Sequence, residues 1–268
     1  MIEPPKPCRF DALADDYDRH AAIVREIGSR LLDRLEGLNF APERIVDLGC
    51  ATGALARQIH QRYPSAVTVA VDASRPMLGR AKRRQGWWRA RFERVCGQAE
   101  RLPFADGAFD LAVVNLVLPF LSDPEALCTE LRRVLAPGGL LLISSLGPDS
   151  LNELRPALGS GETVAVRLID VQGLGDVLVR AGFSEPVLDT DWLTTTHACN
   201  DQALAELSGL GFLAPTEQAS VEGPVSQLSW EAVYASAWSP EASQPLRSGD
   251  GEIASVPIER IGIRWRKG

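Results

Sequence analysis

Short apolar runs alternate with amphipathic stretches between residues 41 and 145 of the chain. The apolar runs predict five strands, at 45–49, 67–72, 91–96, 110–115 and 140–145. The strongest of these runs are continuous rather than alternating, which is typical of parallel strands buried on both faces. Helical spacing of apolar residues predicts helices from about residue 54, from Ser74 as its N-cap, and over 124–135, where Pro137-Gly138-Gly139 stops the helix. This alternation indicates an α/β fold with a parallel sheet.

After residue 145 the pattern is less regular. It predicts a short helix over 149–155 and a second one over 173–181 that Gly182 ends. The segments 185–194 and 228–236 are candidates for an antiparallel edge of the sheet. Residues 200–225 show no clear pattern, and 239–256 form a polar tail.

Composition and charge narrow the classes of function. The 268 residues carry a formal net charge of -7, so the protein gains little from the counterion release that drives nucleic-acid binding, and we expect no nucleic-acid partner. No apolar run approaches the ~20 residues of a membrane span, and the first residues lack an apolar signal core. The five scattered cysteines and three histidines form no metal-ligand motif, so we expect no metal site and a reducing, cytoplasmic location.

One basic cluster interrupts this acidic background. It comprises Arg80-Ala81-Lys82-Arg83-Arg84, followed by Arg89, Arg91 and Arg94. A solvated helix face is one interpretation of such a cluster. The other is a landing surface for an acidic partner protein, which it would attract electrostatically.

A glycine-containing turn joins the first predicted strand to the helix that follows. The turn is Asp47-Leu48-Gly49-Cys50-Ala51-Thr52-Gly53, and Asp72 ends the next strand. Glycines in such a turn let the backbone approach a ligand, and an acid on the next strand can hold the hydroxyls of a ribose. Together they predict a site for an adenosine-containing cofactor. The structural alternative is a tight turn with a helix-capping aspartate.

The turn lacks the G-x-G-x-x-G spacing of dinucleotide sites, and it resembles the first motif of the class I S-adenosylmethionine-dependent methyltransferases. Further matches follow in the family's order: Ala73, Met77, Cys96 to Phe104, Phe109-Asp110-Leu111 and Arg133 to Gly139. The resemblance implies S-adenosylmethionine as cofactor and a Rossmann-like sheet with helices on both faces. It implies that Asp47, Gly49, Ala51 and Gly53 surround the methionine half, Asp72 the ribose, Ala73 and Met77 the adenine ring, and Gln98 and Ala99 its amino edge.

A closer resemblance covers most of residues 10–240. The segments Phe10-Asp11 to Tyr17-Asp18, 23–32, 146–155, 167–170 and 234–238 resemble the malonyl-[acyl-carrier protein] O-methyltransferases of biotin synthesis. This resemblance implies methyl esterification of the free malonyl carboxylate, with the acyl carrier protein as partner. It also implies an N-terminal helical arm at 1–40, a methyltransferase domain at 41–240 with a small cap at about 146–172 after the fifth strand, and a C-terminal tail at 241–268.

The acceptor chemistry needs few catalytic groups. A carboxylate is already ionised at neutral pH, so its methylation requires no general base. From the resemblance, we expect Arg167 and Arg155 to orient the malonyl group and Tyr17 to close over the sulfonium. Asn115, at the end of the fourth strand, is placed to face the transferred methyl group and the cofactor. Structural ion pairs of the arginines, packing of Tyr17 and turn capping by Asn115 are the alternatives.

The sequence departs from these families at several places, and Leu210 to Pro215 keeps little of their pattern. Ala51 replaces the middle glycine of the turn, Gln98 stands where aspartate is usual, and Pro119-Phe120 replaces a Gln-Trp pair. The alternatives are a related protein acting on another small acid, an assembly or protein-modifying factor, a nicotinamide-dependent oxidoreductase and a catalytically silent binding module.

Overall fold

Seven strands form one mixed sheet in the order β3-β2-β1-β4-β5-β7-β6 in the computed structural model. The structure describes residues 8–85, 92–154, 166–213, 223–241, 247–248 and 251–252. The strands are β1 Arg44–Leu48, β2 Val67–Asp72, β3 Glu93–Cys96, β4 Phe109–Asn115, β5 Leu135–Leu146, β6 Ser184–Thr196 and β7 Gln227–Trp238. Strands β1 to β5 are parallel, and β7 lies antiparallel between β5 and β6. The predicted Rossmann-like α/β sheet is confirmed.

Helices cover both faces of this sheet. They are α1 Tyr17–His20, α2 Ala22–Asp33, α3 Ala54–Arg62, α4 Arg75–Arg84, α5 Pro124–Val134, α6 Val171–Arg180 and α7 Asn200–Gly209, with 3-10 turns at Asp11–Leu13 and Leu118–Phe120. Alternate residues of β4 are buried on opposite faces. Leu111 and Val113 pack in one core cluster with α2 and α3, and Ala112 and Val114 pack in another with α5 and α6. This double burial explains the continuous apolar runs in the sequence.

Most of the expected elements are present, with differences at their ends. Helix α5 ends at Val134, and β5 begins at Leu135, five residues earlier than expected. The Pro-Gly-Gly segment belongs to the strand because Gly138 and Gly139 exchange backbone hydrogen bonds with Ser239. The antiparallel pair at 185–194 and 228–236 is confirmed, and helix α7 lies where no element was expected.

The helix expected over 149–155 is wrong for the residues described, since 148–154 form turns and Arg155 lies outside the described residues. The backbone here is bonded to β7. The Leu151 N–H donates to the Ser229 carbonyl at 2.8 Å, and the Asp149 N–H donates to the Glu231 carboxylate at 2.8 Å. Leu151 also has a left-handed φ of +59°, which a right-handed helix cannot accommodate.

In the N-terminal segment, Asp11 and Asp18 contact Ser74 and Thr52, beyond the carboxyl ends of β2 and β1, whereas α2 packs on one face of the sheet. We call residues 8–33 the arm. At the other end of the chain, Arg247–Ser248 pairs antiparallel with Gly251–Glu252. Within the described part of the chain, no helix is long and apolar enough to cross a bilayer.

Candidate active site

Three polar residues lie at or next to the carboxyl ends of neighbouring strands. Asp47 lies near the end of β1, Asp72 ends β2 and Asn115 ends β4, and β1 pairs with both β2 and β4. The order of the sheet reverses between β1 and β4, because the chain runs outward from β1 through β2 to β3 and then crosses back to β4 on the other side of β1. Ligands of open α/β sheets bind outside the carboxyl ends at such a switch point.

The turn after β1 takes three left-handed backbone conformations. Gly49, Ala51 and Gly53 have φ angles of +73°, +46° and +76°. A Cβ atom on Gly49 would lie 2.2 Å from a methyl carbon of Val117, so a side chain cannot fit there. Ala51 adopts a region that disfavours L-residues, at a cost of about 1 kcal/mol. Its N–H is held at 2.8 Å by an Asp72 oxygen.

Asp72 joins the turn to the start of helix α4. One carboxylate oxygen accepts from the Ala51 N–H and the other accepts from the Ser74 N–H, both at 2.8 Å. Burial raises the pKa of Asp72, and these two N–H groups oppose that effect. Ser74 caps α4 as expected by accepting from the Met77 N–H. Each Asp72 oxygen can accept a second hydrogen bond, so the carboxylate can also hold ligand hydroxyls.

Asp47 is almost completely buried, and its Oδ2 atom has no hydrogen-bond partner within the described chain. Burial, and secondarily the charge of Asp72, raises the pKa of Asp47 to about 7. A buried carboxylate without a partner is costly, and a cation brought next to it relieves that cost. Asp47 is therefore suited to a positively charged ligand group.

The arm is fastened over this edge by two acidic residues. Asp18 accepts from the Thr52 hydroxyl at 2.6 Å and forms an ion pair with Arg84. Asp11 accepts from the Ser74 hydroxyl at 2.7 Å. Thr52 lies in the turn after β1, which we call the cofactor turn, and Ser74 lies just beyond the end of β2. These contacts therefore connect the arm directly to the site.

The basic cluster of the sequence takes part in the same closure. Arg80 pairs with Asp15 of the arm, and Arg84 contacts both Asp18 and Thr52. These two arginines belong neither to a solvated face nor to a landing surface, because both form ion pairs with carboxylates of the arm. Of the cluster's other members, Arg83 is exposed, and Arg89 and Arg91 lie outside the described residues.

Tyr17 and Asn115 connect the arm to the interior of the site. The Asn115 amide donates to the Val24 carbonyl at 3.0 Å and accepts from the Ser144 hydroxyl at 2.8 Å. Tyr17 begins helix α1, and burial, followed by the charges of Asp72 and Asp18, raises its pKa above the usual range. The phenol therefore stays protonated at neutral pH and is a poor general base.

Aromatic rings form one wall of the site. Phe120 lies 5.0 Å from Phe10 and 5.2 Å from Phe212 between ring centres. The Arg9 guanidinium lies 5.4 Å from the Phe120 ring centre and donates to the Gly211 carbonyl at 2.5 Å. This wall joins the arm, the loop after β4 and the segment after α7, and it is mostly apolar.

These groups enclose a cavity of about 560 Å³. The size falls within the roughly 300–1,000 Å³ of small-molecule sites. Ten of the expected site residues line it: Tyr17, Asp47, Gly49, Ala51, Asp72, Ala73, Met77, Gln98, Ala99 and Asn115.

Two expected residues lie elsewhere, and a third is outside the described residues. Gly53 is not among the described lining residues, and a Cβ added to it would meet Phe92 at 2.9 Å, so it allows close packing behind the turn. Arg167 is likewise absent from the described lining, and its guanidinium donates to the Ser122 carbonyl at 2.9 Å. No described carboxylate lies within ion-pair distance of Arg167, whereas Asp170 caps α6. Arg155 lies outside the described residues.

Sequence reasoning missed several residues of the cavity wall. They are Cys8, Arg9, Asp18, Arg25, Thr52, Gln58 and Phe212. Asp18 lies within the arm segment that carried the resemblance, and Thr52 lies in the cofactor turn, so both had a positional signal. Phe212 had none, because its position depends on how helix α7 packs against the arm.

The cavity fits the cofactor that the resemblance implies. S-adenosylmethionine has two cationic groups, a ribose diol and an adenine ring. Asp47 is a buried carboxylate with one oxygen that lacks a partner among the described residues, and Asp72 retains acceptor capacity. Met77, Ala99 and Leu116 supply apolar surface of the kind that receives an aromatic base.

Comparisons with known proteins agree with this geometry. A family model described as a methyltransferase domain matches residues 46–143. A malonyl-[acyl-carrier protein] O-methyltransferase of Xylella fastidiosa is 35% identical over 96% of this chain and 95% of its own length. Another relative of that name, from Halorhodospira halophila, is 36% identical over 96% of this chain and 94% of its own length.

A solved structure supports the fold. The Burkholderia thailandensis 1,6-didemethyltoxoflavin-N1-methyltransferase, with S-adenosylhomocysteine bound, superposes with a TM-score of 0.54 at 17% identity. The match covers 87% of this chain and 84% of that one. The near full-length relatives and the matching methyltransferase domain show the family. The chain belongs to the malonyl-[acyl-carrier protein] O-methyltransferase family of S-adenosylmethionine-dependent enzymes.

Proposed function

We propose that this protein methylates the free carboxylate of a malonyl group carried on acyl carrier protein, as a step of biotin biosynthesis. The observation that carries the proposal is a single cavity in which a carboxylate-lined cofactor end continues into an aromatic acceptor end. The names of the relatives supply the identity of the acceptor. Nucleic acid and membrane have no part in the proposed reaction.

The cofactor end is proposed to hold S-adenosylmethionine through the residues that line it. Asp47 and the turn at Gly49 and Ala51 would receive the methionine half, and Asp72 the ribose hydroxyls. Ala73 and Met77 would pack on adenine, with Gln98 and Ala99 at its amino edge. Gly53 would act by keeping the turn close to helix α4, where its missing side chain leaves room for Phe92.

The acceptor end is proposed to work by positioning and by exclusion of water. When bound, the cofactor supplies an electrophilic methyl group on a sulfonium, and transfer to a carboxylate oxygen removes no proton. The chain accordingly needs to place that oxygen in line and keep the site dry. The protonated Tyr17, part of the arm, would close over the sulfonium, and Asn115 would face the transferred methyl from a fixed amide orientation.

Arg155 and Arg167 are proposed to orient the malonyl group from the rim of the cavity. Arg167 supports this role through its hydrogen bond to Ser122, because Ser122 and the nearby Phe120 line the cavity. Through its hydrogen bond to Ser122, Arg167 holds the loop that carries Phe120. Arg167 would thereby position the acceptor through Phe120 as well as by direct contact. We also propose a cytoplasmic location, since all five cysteines are free thiols in the structure.

The test is the intact mass of the carrier after incubation with the protein and S-adenosylmethionine. Malonyl-carrier is expected to gain one methyl group, and acetyl-carrier, which lacks the carboxylate, is expected to gain none. Asp72→Ala is expected to abolish the gain by weakening cofactor binding. Methylation of both carriers, or of neither while the cofactor is bound, would refute the proposed acceptor.

A further inference from the structure

The described cavity lining is predominantly acidic among its charged groups. Asp18, Asp47, Asp72, Glu100 and Asp123 contribute carboxylates, and the arginines of the described lining are Arg9 and Arg25. A negatively charged acceptor entering this cavity is repelled by these carboxylates unless a cationic group binds it. The position of the two arginines therefore decides where an acidic acceptor can bind.

The two arginines have different surroundings in the cavity wall. Arg25 donates to the Asp18 carbonyl at 2.9 Å, and Asp18 contacts Thr52 in the cofactor turn. Arg9 instead lies over Phe10 and Phe120 and reaches Gly211. Phe120 belongs to the loop that follows Asn115, so Arg9 is on the acceptor side.

We propose that Arg9 binds the carboxylate of the acceptor and makes the site selective for acidic over neutral acyl groups. This inference rests on the proposed function and adds the residue that recognises the substrate's charge. The guanidinium presents its N–H donors in a planar fork, a geometry that matches a carboxylate. Binding one oxygen leaves the other available for methylation.

The aromatic surroundings favour this role. Stacking against Phe10 and Phe120 restricts the guanidinium, with ring centres 5.7 Å and 5.4 Å away. An oriented guanidinium loses less freedom when it binds a carboxylate, and the apolar wall strengthens the charge-assisted hydrogen bond. The same wall would accept the uncharged part of the acyl chain.

The experiment measures binding of malonyl-carrier and acetyl-carrier to the protein loaded with S-adenosylhomocysteine, which prevents turnover. We expect the wild-type protein to prefer malonyl-carrier by about 10- to 100-fold, the range of a charge-assisted hydrogen bond. In Arg9→Gln this preference is expected to fall by about tenfold, with affinity for acetyl-carrier and S-adenosylhomocysteine unchanged. Arg9→Lys is expected to keep part of the preference.

Arg19→Gln is the matched control, because Arg19 is another arginine of the arm and is 80% exposed in a pair with Asp16. It is expected to keep the wild-type preference. If Arg9→Gln keeps the full preference while the wild-type protein methylates malonyl-carrier, the role of Arg9 is overturned and the proposed function is not. Absence of turnover on malonyl-carrier by the wild-type protein would instead overturn the proposed function, and this inference with it.

Discussion

Replacing Asp47 by asparagine is expected to stabilise the cofactor-free protein and to weaken cofactor binding. The side chain is 1% exposed, and its Oδ2 has no partner within the described residues. Ionised, it is an uncompensated buried charge. Asparagine has nearly the same shape without that charge, and a cationic cofactor group loses its counterion in the variant.

The size and sign of the effect follow from the pKa of Asp47, which burial and then Asp72 raise from 3.8 to about 7. Between these values the folded protein retains a proton that the unfolded chain has lost. Its stability therefore falls as pH rises through this window, by up to about 4 kcal/mol above pH 7. Asp47→Asn removes this loss, so the two proteins are expected to be similar near pH 4 and to diverge towards pH 8.

The assay is urea unfolding of the cofactor-free proteins across this pH range, with calorimetry of S-adenosylmethionine binding. Wild-type affinity is expected to rise by up to about tenfold per pH unit below pH 7, and the Asp47→Asn affinity to be weaker and flat. Asp110→Asn is the control. Burial raises the pKa of Asp110, but hydrogen bonds from Arg44 and Glu43 outweigh burial and lower it. Removing the Asp110 carboxylate is therefore expected to destabilise the folded protein. An Asp47→Asn protein less stable than wild type at pH 8 would refute the reasoning.

Two further predictions concern the turn and the arm. Ala51→Gly is expected to leave the free energy of unfolding unchanged or raise it by up to about 1 kcal/mol, since relief at φ +46° exceeds the entropy that glycine adds to the unfolded chain. Ala51→Val, measured by the same denaturation, is expected to lose more than about 1 kcal/mol, and a stable valine variant would contradict the left-handed conformation. Asp18→Ala is expected to cost about 1–2 kcal/mol and weaken cofactor binding several-fold, because the buried Thr52 hydroxyl loses its acceptor. Asp16→Ala, which removes an exposed pair with Arg19, is the control, and equal effects of the two would argue against fastening of the arm by Asp18.

The central parallel strands β1, β4 and β5 were predictable because most of their residues are buried on both faces, whereas β3 has no fully buried residue and gave a weaker signal. The run 67–72 favours a strand because it is short and rich in β-branched residues, and the strand found is Val67–Asp72. The capping of α4 by Ser74 was equally local. The turn after β1 and the acid on β2 could be paired in advance because parallel strands align their carboxyl ends.

The failures of prediction all depend on distant contacts. Residues 149–154 have a helical composition, yet Leu151 takes a left-handed φ of +59°, and the N–H groups of Asp149 and Leu151 donate to β7, about eighty residues later. Helix α7 buries Ala203 and Leu207 but also Glu206, so its apolar stripe is interrupted. Asp18 and Thr52 are 34 residues apart, and nothing local to either predicts that they meet.

The central claim is that the carboxylate of malonyl-carrier is the group methylated. The most direct measurement uses S-adenosylmethionine labelled in its methyl group, followed by mild alkali treatment of the purified carrier. The account predicts that label reaches the carrier and is then released as volatile methanol, because a methyl ester hydrolyses under these conditions. Label that stays non-volatile after alkali, or a carrier that gains no label while the protein binds the cofactor, would contradict it.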